Sequence, residues 1–140
     1  MFKPMRVVLD DGAKVPKRVY DPDAGYDLFT PASFVVPAHG YAWVNTGVHV
    51  ELPRGTRGHI CSKSGLARFH GLHTDGTVDE GYTDAIGVTI FNNSDEDYLF
   101  EAGDKVAQIV IEPVMHPEIE VVDSIIGGER GNRGFGSSGR

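Results

Sequence analysis

Residues 71–84 read GLHTDGTVDEGYTD, and the rest of the chain is arranged around this stretch. Gly76 and Gly81 supply the backbone freedom that a tight reversal needs, so the stretch predicts a hairpin. Asp79 would place a carboxylate beside exposed backbone amides at the end of that hairpin. Such a carboxylate could hold and deprotonate a water, while the open backbone could read the edge of a flat ring. The alternative is a plain polar turn between two strands.

The composition fits one globular domain. The chain has 140 residues, of which 40% are hydrophobic and 24% are charged, as in ordinary compact domains. No apolar run approaches the ~20 residues of a membrane span, and acidic residues stand where a signal peptide would be apolar. We therefore expect a cytoplasmic protein without a membrane partner. The single cysteine, Cys61, excludes an internal disulfide and favours a buried strand thiol over a nucleophile.

The charges are distributed unevenly along the chain. The net charge of −7 argues against direct binding of nucleic acid. However, residues 54–68 carry four cations and no acid, and residues 130–140 carry three arginines and no acid. Two cationic segments in an acidic protein indicate a local polyanion, such as a small phosphate ester. Ordinary solvated surface charge is the alternative.

The hydrophobic pattern predicts an all-β protein, either a sandwich or a barrel. Only residues 64–69 fit a helix, with Ser64 as its N-cap. Strands and helices do not alternate along the chain, so a parallel sheet is not expected. Short apolar or alternating runs predict strands at residues 5–9, 33–36, 41–51, 58–62, 86–91, 98–100, 106–111 and 119–122.

The last fourteen residues differ from the rest. Residues 127–140 are rich in glycine, arginine and serine, and Phe135 is almost their only apolar residue. Such a segment cannot bury enough surface to order itself. We therefore expect a body over residues 1–126 and a flexible tail over 127–140. The tail is either a loose terminus or a flap that closes on a ligand.

Three further positions could carry chemistry. Ser64 and Gly65, beside Lys63, stand at the start of the helix, where backbone amides favour an anion. Asp27 lies between apolar residues, which fits either a structural hydrogen bond or a contact to a metal through water. Gln108 lies within an apolar strand and needs polar partners, so it is either structural or a ligand contact.

Five stretches together resemble the five ordered motifs of trimeric dUTP pyrophosphatases. They occur in the family order, at family-like spacing, and span nearly the whole chain. One such motif would be weak evidence, whereas five in order are specific. The stretches are AGYDL at 24–28, SKSGLA at 62–67, GTVDEGY at 76–82, GDKVAQIVIEP at 103–113 and RGNRGFGSSG at 130–139.

This resemblance implies a jelly-roll subunit, a β-clip-like distorted barrel with one short helix, and a homotrimer with shared active sites. The implied enzyme uses Mg²⁺ to hydrolyse dUTP to dUMP and pyrophosphate, which supplies dUMP for thymidylate synthesis and keeps uracil out of DNA. This chemistry needs positioning and charge neutralisation more than covalent help. A carboxylate base, a metal and an arginine supply those functions.

The resemblance also assigns roles to individual residues. Asp79 would activate the attacking water, and Tyr82 would exclude a ribose 2′-hydroxyl. Asp27 would act through water near Mg²⁺, which is bound mainly by the phosphates. The backbone of residues 73–78, including His73, Gly76, Thr77 and Val78, would read uracil together with Gly87. Lys63, Ser64, Gly65 and Gln108 would hold the phosphates, while Arg130, Phe135 and Gly136 of the tail would close over the nucleotide.

The chain departs from the family pattern at several positions. Lys63 replaces a usual arginine, and His73 stands where many members carry asparagine. Thr83 and Asp84 replace a basic residue and a glycine, and Arg133 replaces a glycine. These changes affect affinity and rate more than the type of reaction.

Two other functions are compatible with this fold. A dCTP deaminase would need a glutamate on the strand after the hairpin, but Thr89 stands there and residues 86–92 contain no carboxylate. Deaminases also usually carry two serines where this chain has Ser64 and Gly65. A regulatory or capsid-like binding module would not need Asp79, Arg130 and Phe135 together.

Overall fold

The computed structural model describes residues 3–140, which form eleven strands and one helix. The strands are β1 (Arg6–Leu9), β2 (Gly25–Phe29), β3 (Phe34–Val36), β4 (Tyr41–Asn45), β5 (Val48–Glu51), β6 (Thr56–Cys61), β7 (Leu72–His73), β8 (Asp75–Val78), β9 (Gly87–Asn92), β10 (Tyr98–Phe100) and β11 (Lys105–Pro113), and the helix is α1 (Ser64–His70). The all-β prediction with one short helix is confirmed.

The strands form four antiparallel sheets within the described part of the chain. Their strand orders are β1-β5, β3-β10, β2-β11-β6-β8 and β4-β9-β7. Alternate residues point inward, because successive side chains of a strand lie on opposite faces. The inward residues of the four-stranded and three-stranded sheets, such as Leu28, Ile109, Val88 and Ile90, share one buried hydrophobic cluster.

The stretch 71–84 does not form the single hairpin that its glycines predict. β7 pairs with β9, whereas β8 pairs with β6, so the chain changes sheets at the buried Thr74. Ser62 fixes this crossing: the backbone N–H of Thr74 donates to Ser62 Oγ (2.9 Å), which itself donates to the Thr74 carbonyl (3.0 Å). Gly76 therefore lies inside β8, and only Gly81, at φ +88°, makes the predicted turn.

The predicted strand over residues 119–122 is wrong. The last strand ends at Pro113, and Ile119 and Val121 are each 93% exposed. Apolar alternation predicts a strand only where a neighbouring edge is available, and no described strand pairs with this segment. We call residues 114–126 the strap.

Two smaller predictions also need correction. Ser64 is the first residue of α1 and not its N-cap; Lys63 holds that place in an extended conformation and makes no side-chain cap. The predicted strand over residues 41–51 is two strands, because Gly47 turns the chain at φ +70°. Among the described residues, no helix is long and apolar enough to cross a bilayer. The cytoplasmic location stays a prediction from the sequence.

Candidate active site

An opening lies where β8 and β9 diverge. β7 pairs with β9 only at Asn92 and Phe91. From Thr74 onward the chain pairs with β6, so among the described strands Gly87–Ile90 of β9 have a partner on one side only, namely β4. β8 is likewise the edge strand of its own sheet. Two backbone edges with unused N–H and C=O groups therefore diverge from one point.

The side chains around this opening are engaged elsewhere. The His73 ring stacks on Phe91 with centroids 5.2 Å apart, and Thr77 Oγ1 accepts a hydrogen bond from Arg57. Val78 is buried in the core. A Cβ on Gly87 would lie 2.4 Å from Trp43 Nε1, so a side chain there would displace the indole. What residues 73–78 and Gly87 leave free at this opening is therefore mainly backbone.

The loop between β8 and β9 carries Asp79 and Tyr82. Asp79 is exposed, and no hydrogen bond involves its carboxylate within residues 3–140. Its carbonyl accepts from the Tyr82 N–H at 3.0 Å, which tightens the turn. The Tyr82 hydroxyl donates to the Ala85 carbonyl at 3.1 Å, so the phenol ring is held in one orientation. An exposed carboxylate and a fixed aromatic ring thus share one turn.

A second cluster is built around Asp27. This side chain is almost fully buried, and its two oxygens lie 2.5 Å from Lys63 Nζ and 3.2 Å from Lys105 Nζ. The attraction between opposite charges at this distance offsets part of the cost of burying a carboxylate. Two ion pairs thus give Asp27 a structural function, since its carboxylate fixes where the two ammonium groups lie.

Gln108 lies beside Asp27 on the same sheet face. It pairs with Asp27 on β2 and with Cys61 on β6, and its Nε2 donates to the Ser62 carbonyl at 2.9 Å. A Cβ on Gly25 would lie only 2.2 Å from Gln108 Oε1. Glycine is therefore required at position 25 for Gln108 to reach the start of α1.

The start of α1 completes this second cluster. Ser64 and Gly65 follow Lys63 directly, and nothing lies within 4 Å of a Cβ built on Gly65. Lys63, Gly65 and Lys105 line one shared cavity. The first amides of a helix have no intrahelical partner, so free N–H groups begin beside the cavity that the two lysines line.

The two clusters lie at opposite ends of one strand pair. Asp79 follows the β8 end that pairs with Gly58, while Lys63 follows the β6 end that pairs with Asp75. The four-residue pairing of β8 with β6 separates them, about 13 Å of strand at 3.3 Å per residue. One copy of the chain does not bring the predicted base and phosphate contacts together.

The tail residues also lie apart from both clusters. Within the described chain, the hydrogen bonds of residues 127–140 stay inside that segment; for example, Arg133 Nε donates to the Arg130 carbonyl at 3.0 Å. The Phe135 side chain is fully exposed, and Gly136 has a left-handed backbone at φ +79°. The structure does not bring Arg130, Phe135 or Gly136 to Asp79 or Lys63.

Cys61 has the environment of a structural thiol. Burial raises the pKa of its thiol, and the nearby carboxylates of Glu112 and Asp75 raise it further. Those carboxylates flank His59, whose two ring nitrogens each lie 2.8 Å from one of them. A raised pKa disfavours the thiolate, so Cys61 is a poor nucleophile.

The residues around Asp27 fit only an indirect contact to Mg²⁺. Each carboxylate oxygen is already paired with a lysine ammonium group, so direct ligation would displace one of them. Each oxygen keeps a further lone pair that a water can use. Within residues 3–140, no three His, Cys, Asp or Glu side chains are grouped so that they could hold a metal ion. This donor set fits a cation that carries most of its ligands with it.

Two residues beside these clusters are absent from the sequence-based assignments. Lys105 reaches Asp27 from β11, and His49 contacts the loop that carries Asp79. The only signal for Lys105 is its place within GDKVAQIVIEP. His49 gives no signal beyond pointing away from the core, because its partners are far away in the sequence.

Known proteins resemble this chain over nearly its full length. A family model described as dUTPase matches residues 11–139. The deoxyuridine 5'-triphosphate nucleotidohydrolase of Kluyveromyces lactis is 42% identical over 130 residues, covering 91% of this chain and 88% of that protein. The Clostridium tetani protein of the same name is 38% identical over 136 residues, covering 95% and 94%.

Solved structures agree with these sequence relatives. The dUTPase of Staphylococcus bacteriophage 80alpha, solved with dUPNHPP, gives a TM-score of 0.93 at 30% identity and covers 99% of this chain and 100% of that chain. A mutant dUTPase from phage phi11 of S. aureus, which shows a structural Mg(II) ion, gives 0.81 at 29% identity, covering 87% and 98%. This likeness confirms the predicted jelly-roll fold class. The chain belongs to the dUTPase family.

Proposed function

We propose that this chain hydrolyses dUTP to dUMP and pyrophosphate. The observation that carries the proposal is the opening between β8 and β9, with unused backbone edges above a loop that carries Asp79 and Tyr82. Family membership supports the same reaction.

Backbone groups suit the recognition of uracil. The ring edge presents two carbonyl oxygens and one N–H, which alternating N–H and C=O groups of an extended strand can match. A site built from fixed backbone donors and acceptors rejects a ring with a different pattern, because buried polar groups would be left unpaired. Cytosine, which replaces one acceptor by an amine, would be rejected for this reason.

Tyr82 supplies discrimination at the sugar. Its hydroxyl donates to the Ala85 carbonyl, and this hydrogen bond favours one orientation of the ring. In our proposal the ring lies against the deoxyribose and leaves no room for a 2′-hydroxyl. UTP would therefore be excluded by steric contact.

The lysine cluster supplies the phosphate site. Lys63, Gly65 and Lys105 line one cavity, in which the two lysines offer positive charge. Gln108, opposite Asp27 on the neighbouring strand, adds a polar side chain near it. Asp27 holds the two lysines in place. Lysine acts as a point charge, without the two-pronged grip of arginine. The phosphates would bring Mg²⁺, which neutralises their charge when bound, and Asp27 would contact it through water.

Asp79 is the proposed general base. Its exposed carboxylate would accept a proton from a water as the water oxygen attacks the α-phosphorus. The bond from that phosphorus to the bridging oxygen breaks, and pyrophosphate leaves. The cationic groups around the phosphates stabilise the negative charge that develops in this step.

A complete site requires more than one copy of the chain. Asp79 and Lys63 lie at opposite ends of the β6–β8 pair, so a base from one copy must meet the phosphate site of another. The exposed apolar strap offers a surface that a neighbouring copy can cover. We propose a homotrimer with shared sites, in which the tail of residues 127–140 closes with Arg130 on the phosphates and Phe135, beside Gly136, on the uracil ring.

Product release from four nucleotides tests this function. We expect rapid pyrophosphate release from dUTP with Mg²⁺ and little from UTP, dCTP or dTTP. Comparable turnover of UTP or dCTP would contradict the proposed recognition. Ammonia release from dCTP would instead indicate a deaminase, and binding without turnover of any nucleotide would indicate a regulatory module.

A further inference from the structure

His49 makes two hydrogen bonds that require a charged ring. It lies on β5, where Nδ1 is 2.8 Å from the Thr83 carbonyl oxygen and Nε2 is 2.9 Å from Asp10 Oδ1. A carbonyl and an ionised carboxylate can only accept hydrogen bonds. Both ring nitrogens must therefore donate, and only the imidazolium form carries both protons.

One of these two bonds reaches the loop that carries Asp79 and Tyr82. Thr83 directly follows Tyr82, and its carbonyl is the point that His49 contacts. On the other side of the turn, the Glu80 carboxylate accepts from the Gly55 N–H at 2.5 Å. His49 and Glu80 thus fasten the two halves of this loop to different parts of the body.

We propose that His49 is a positioning residue, which holds the Asp79–Tyr82 loop in its working place while the ring is protonated and loosens it when the neutral ring can donate to only one of its two partners. The inference rests on the proposed dUTP hydrolysis and names a residue that acts on Asp79 through the loop. His49 itself contacts neither the substrate nor the attacking water.

The surrounding charges favour the protonated ring. Asp10, which directly follows β1, and Asp84 in the loop place negative charge near His49. Arg6 and Glu51 are the next outward-facing pair along β1 and β5, and their opposite charges compensate each other in an ion pair at 2.5 Å. The hydrogen bond to the Thr83 carbonyl is the largest cause that raises the pKa of His49, followed by the bond to Asp10; burial opposes both.

The direction of the pH dependence follows from this raised pKa. Both hydrogen bonds are present below the pKa of a histidine in the unfolded chain, about 6.5, and one of them is lost as the pH rises through the higher folded value. On the alkaline side, we expect kcat for dUTP to fall and discrimination against UTP to weaken, because Asp79 and Tyr82 move together. The phosphate contacts lie at the other end of the strand pair and should keep KM nearly constant.

The test compares three variants with the wild-type protein over a range of pH. Asp10→Asn removes one charge from His49, and His49→Gln removes the titrating ring. Asp95→Asn is the matched control, because it removes the carboxylate that lies 2.7 Å from His39, a histidine whose contact to Asp95 lies away from this loop. NMR titration of the imidazole protons follows His49 directly, and steady-state kinetics gives kcat, KM and the ratio of dUTP to UTP turnover.

We expect Asp10→Asn to lower both the pKa of His49 and the pH at which kcat falls by about one unit. His49→Gln should lower kcat roughly tenfold, as expected for a displaced base, and remove that fall. Asp95→Asn should change neither. Any titration of the nucleotide itself would be the same in all variants.

Two results would overturn the positioning role. One is that Asp10→Asn shifts the pKa of His49 but leaves the pH dependence of kcat unchanged. The other is that Asp10→Asn does not shift the pKa of His49. Wild-type dUTP turnover at pH 6 is measured first. Its absence would contradict the proposed function, whereas its presence with either of these results would contradict only the role of His49.

Discussion

Asp79 is the residue on which the proposed chemistry depends. Asp79→Asn keeps the shape of the side chain but removes its capacity to take a proton, so we expect kcat to fall about 100-fold or more. Binding of dUTP should stay near normal, because the backbone edges and the lysines are untouched. Kinetics and direct measurement of nucleotide binding check both parts.

The neighbouring Glu80→Gln is the matched control for this variant. The amide oxygen of glutamine can still accept from the Gly55 N–H, so the loop should keep its place and most of its activity. If Asp79→Asn retained most of the wild-type rate, the carboxylate would be structural and the stretch 71–84 would be an ordinary turn.

Gly25 supports a prediction about packing. A methyl group at this position would overlap Gln108 Oε1, which lies 2.2 Å from the ideal Cβ position. Gly25→Ala should therefore lower the free energy of unfolding by about 1–3 kcal/mol and reduce kcat/KM, since Gln108 must leave the Ser62 carbonyl.

A double-mutant cycle separates this overlap from any backbone effect. In a Gln108→Ala background the two closest atoms, Oε1 and Cδ, are gone and only Cβ remains, 3.0 Å from the new methyl group, so adding Gly25→Ala should cost clearly less stability than in the wild-type protein. Equal losses in both backgrounds would show that Gly25 serves the backbone of β2 and not Gln108.

The sequence identifies individual candidate site residues better than it identifies the residues that they contact. Asp27, Lys63 and Gln108 are identified from short stretches, but their contacts to one another depend on the register of β2, β6 and β11. His49 remains unidentified because its two partners lie 39 and 34 positions away and only the folded chain brings them near.

Among the elements, alternation of apolar residues locates most strands. Val48 and Val50 point inward and His49 and Glu51 outward, because one sheet face is buried. The pattern fails where pairing, and not burial, decides the structure. Residues 71–84 contain strands of two different sheets, a division fixed by the Ser62–Thr74 contact, which no local periodicity encodes.

The strap leads to a prediction about assembly. Ile119 and Val121 alternate like strand residues yet are exposed in the single chain, so we expect a neighbouring copy to cover them. Light scattering of the wild-type protein should give about three times 15.2 kDa. Replacing both residues by serine should weaken the assembly, because each buried aliphatic side chain contributes about 1.5–3 kcal/mol.

Val35 and Leu99 provide the matched control for the strap. They are also exposed and apolar and lie directly opposite each other on β3 and β10. Serine at both positions should leave the measured mass unchanged. A wild-type monomer that hydrolyses dUTP would contradict the shared-site proposal, whatever the strap variants do.

For the whole molecule, the proposed closing of the tail would bring it to two separate clusters. In our proposal the body supplies a base at one end of β6–β8 and a phosphate site at the other, and the hydrogen bonds of residues 127–140 reach neither within the described chain. Ordering a glycine-rich tail costs conformational entropy, which a bound triphosphate and a covered ring can offset. We therefore expect the tail to be mobile without ligand and ordered with a dUTP analogue and Mg²⁺.

Deletion of residues 127–140 tests this closing role. The last strand ends at Pro113, so the truncated chain should keep its melting temperature and its mass per assembly. We expect kcat/KM to fall roughly 100-fold, because the contacts to phosphate and ring are lost together. Phe135→Ala should cost less than the deletion, since Arg130 remains.

Arg130→Ala and Arg140→Ala complete the comparison. Both remove one cation from the tail, but only Arg130 is assigned to the phosphates, so Arg140→Ala should keep nearly full activity. An equal loss in both would indicate that the tail acts through general charge attraction. A truncated protein with wild-type turnover, or one that no longer folds, would show that residues 127–140 are not a catalytic lid.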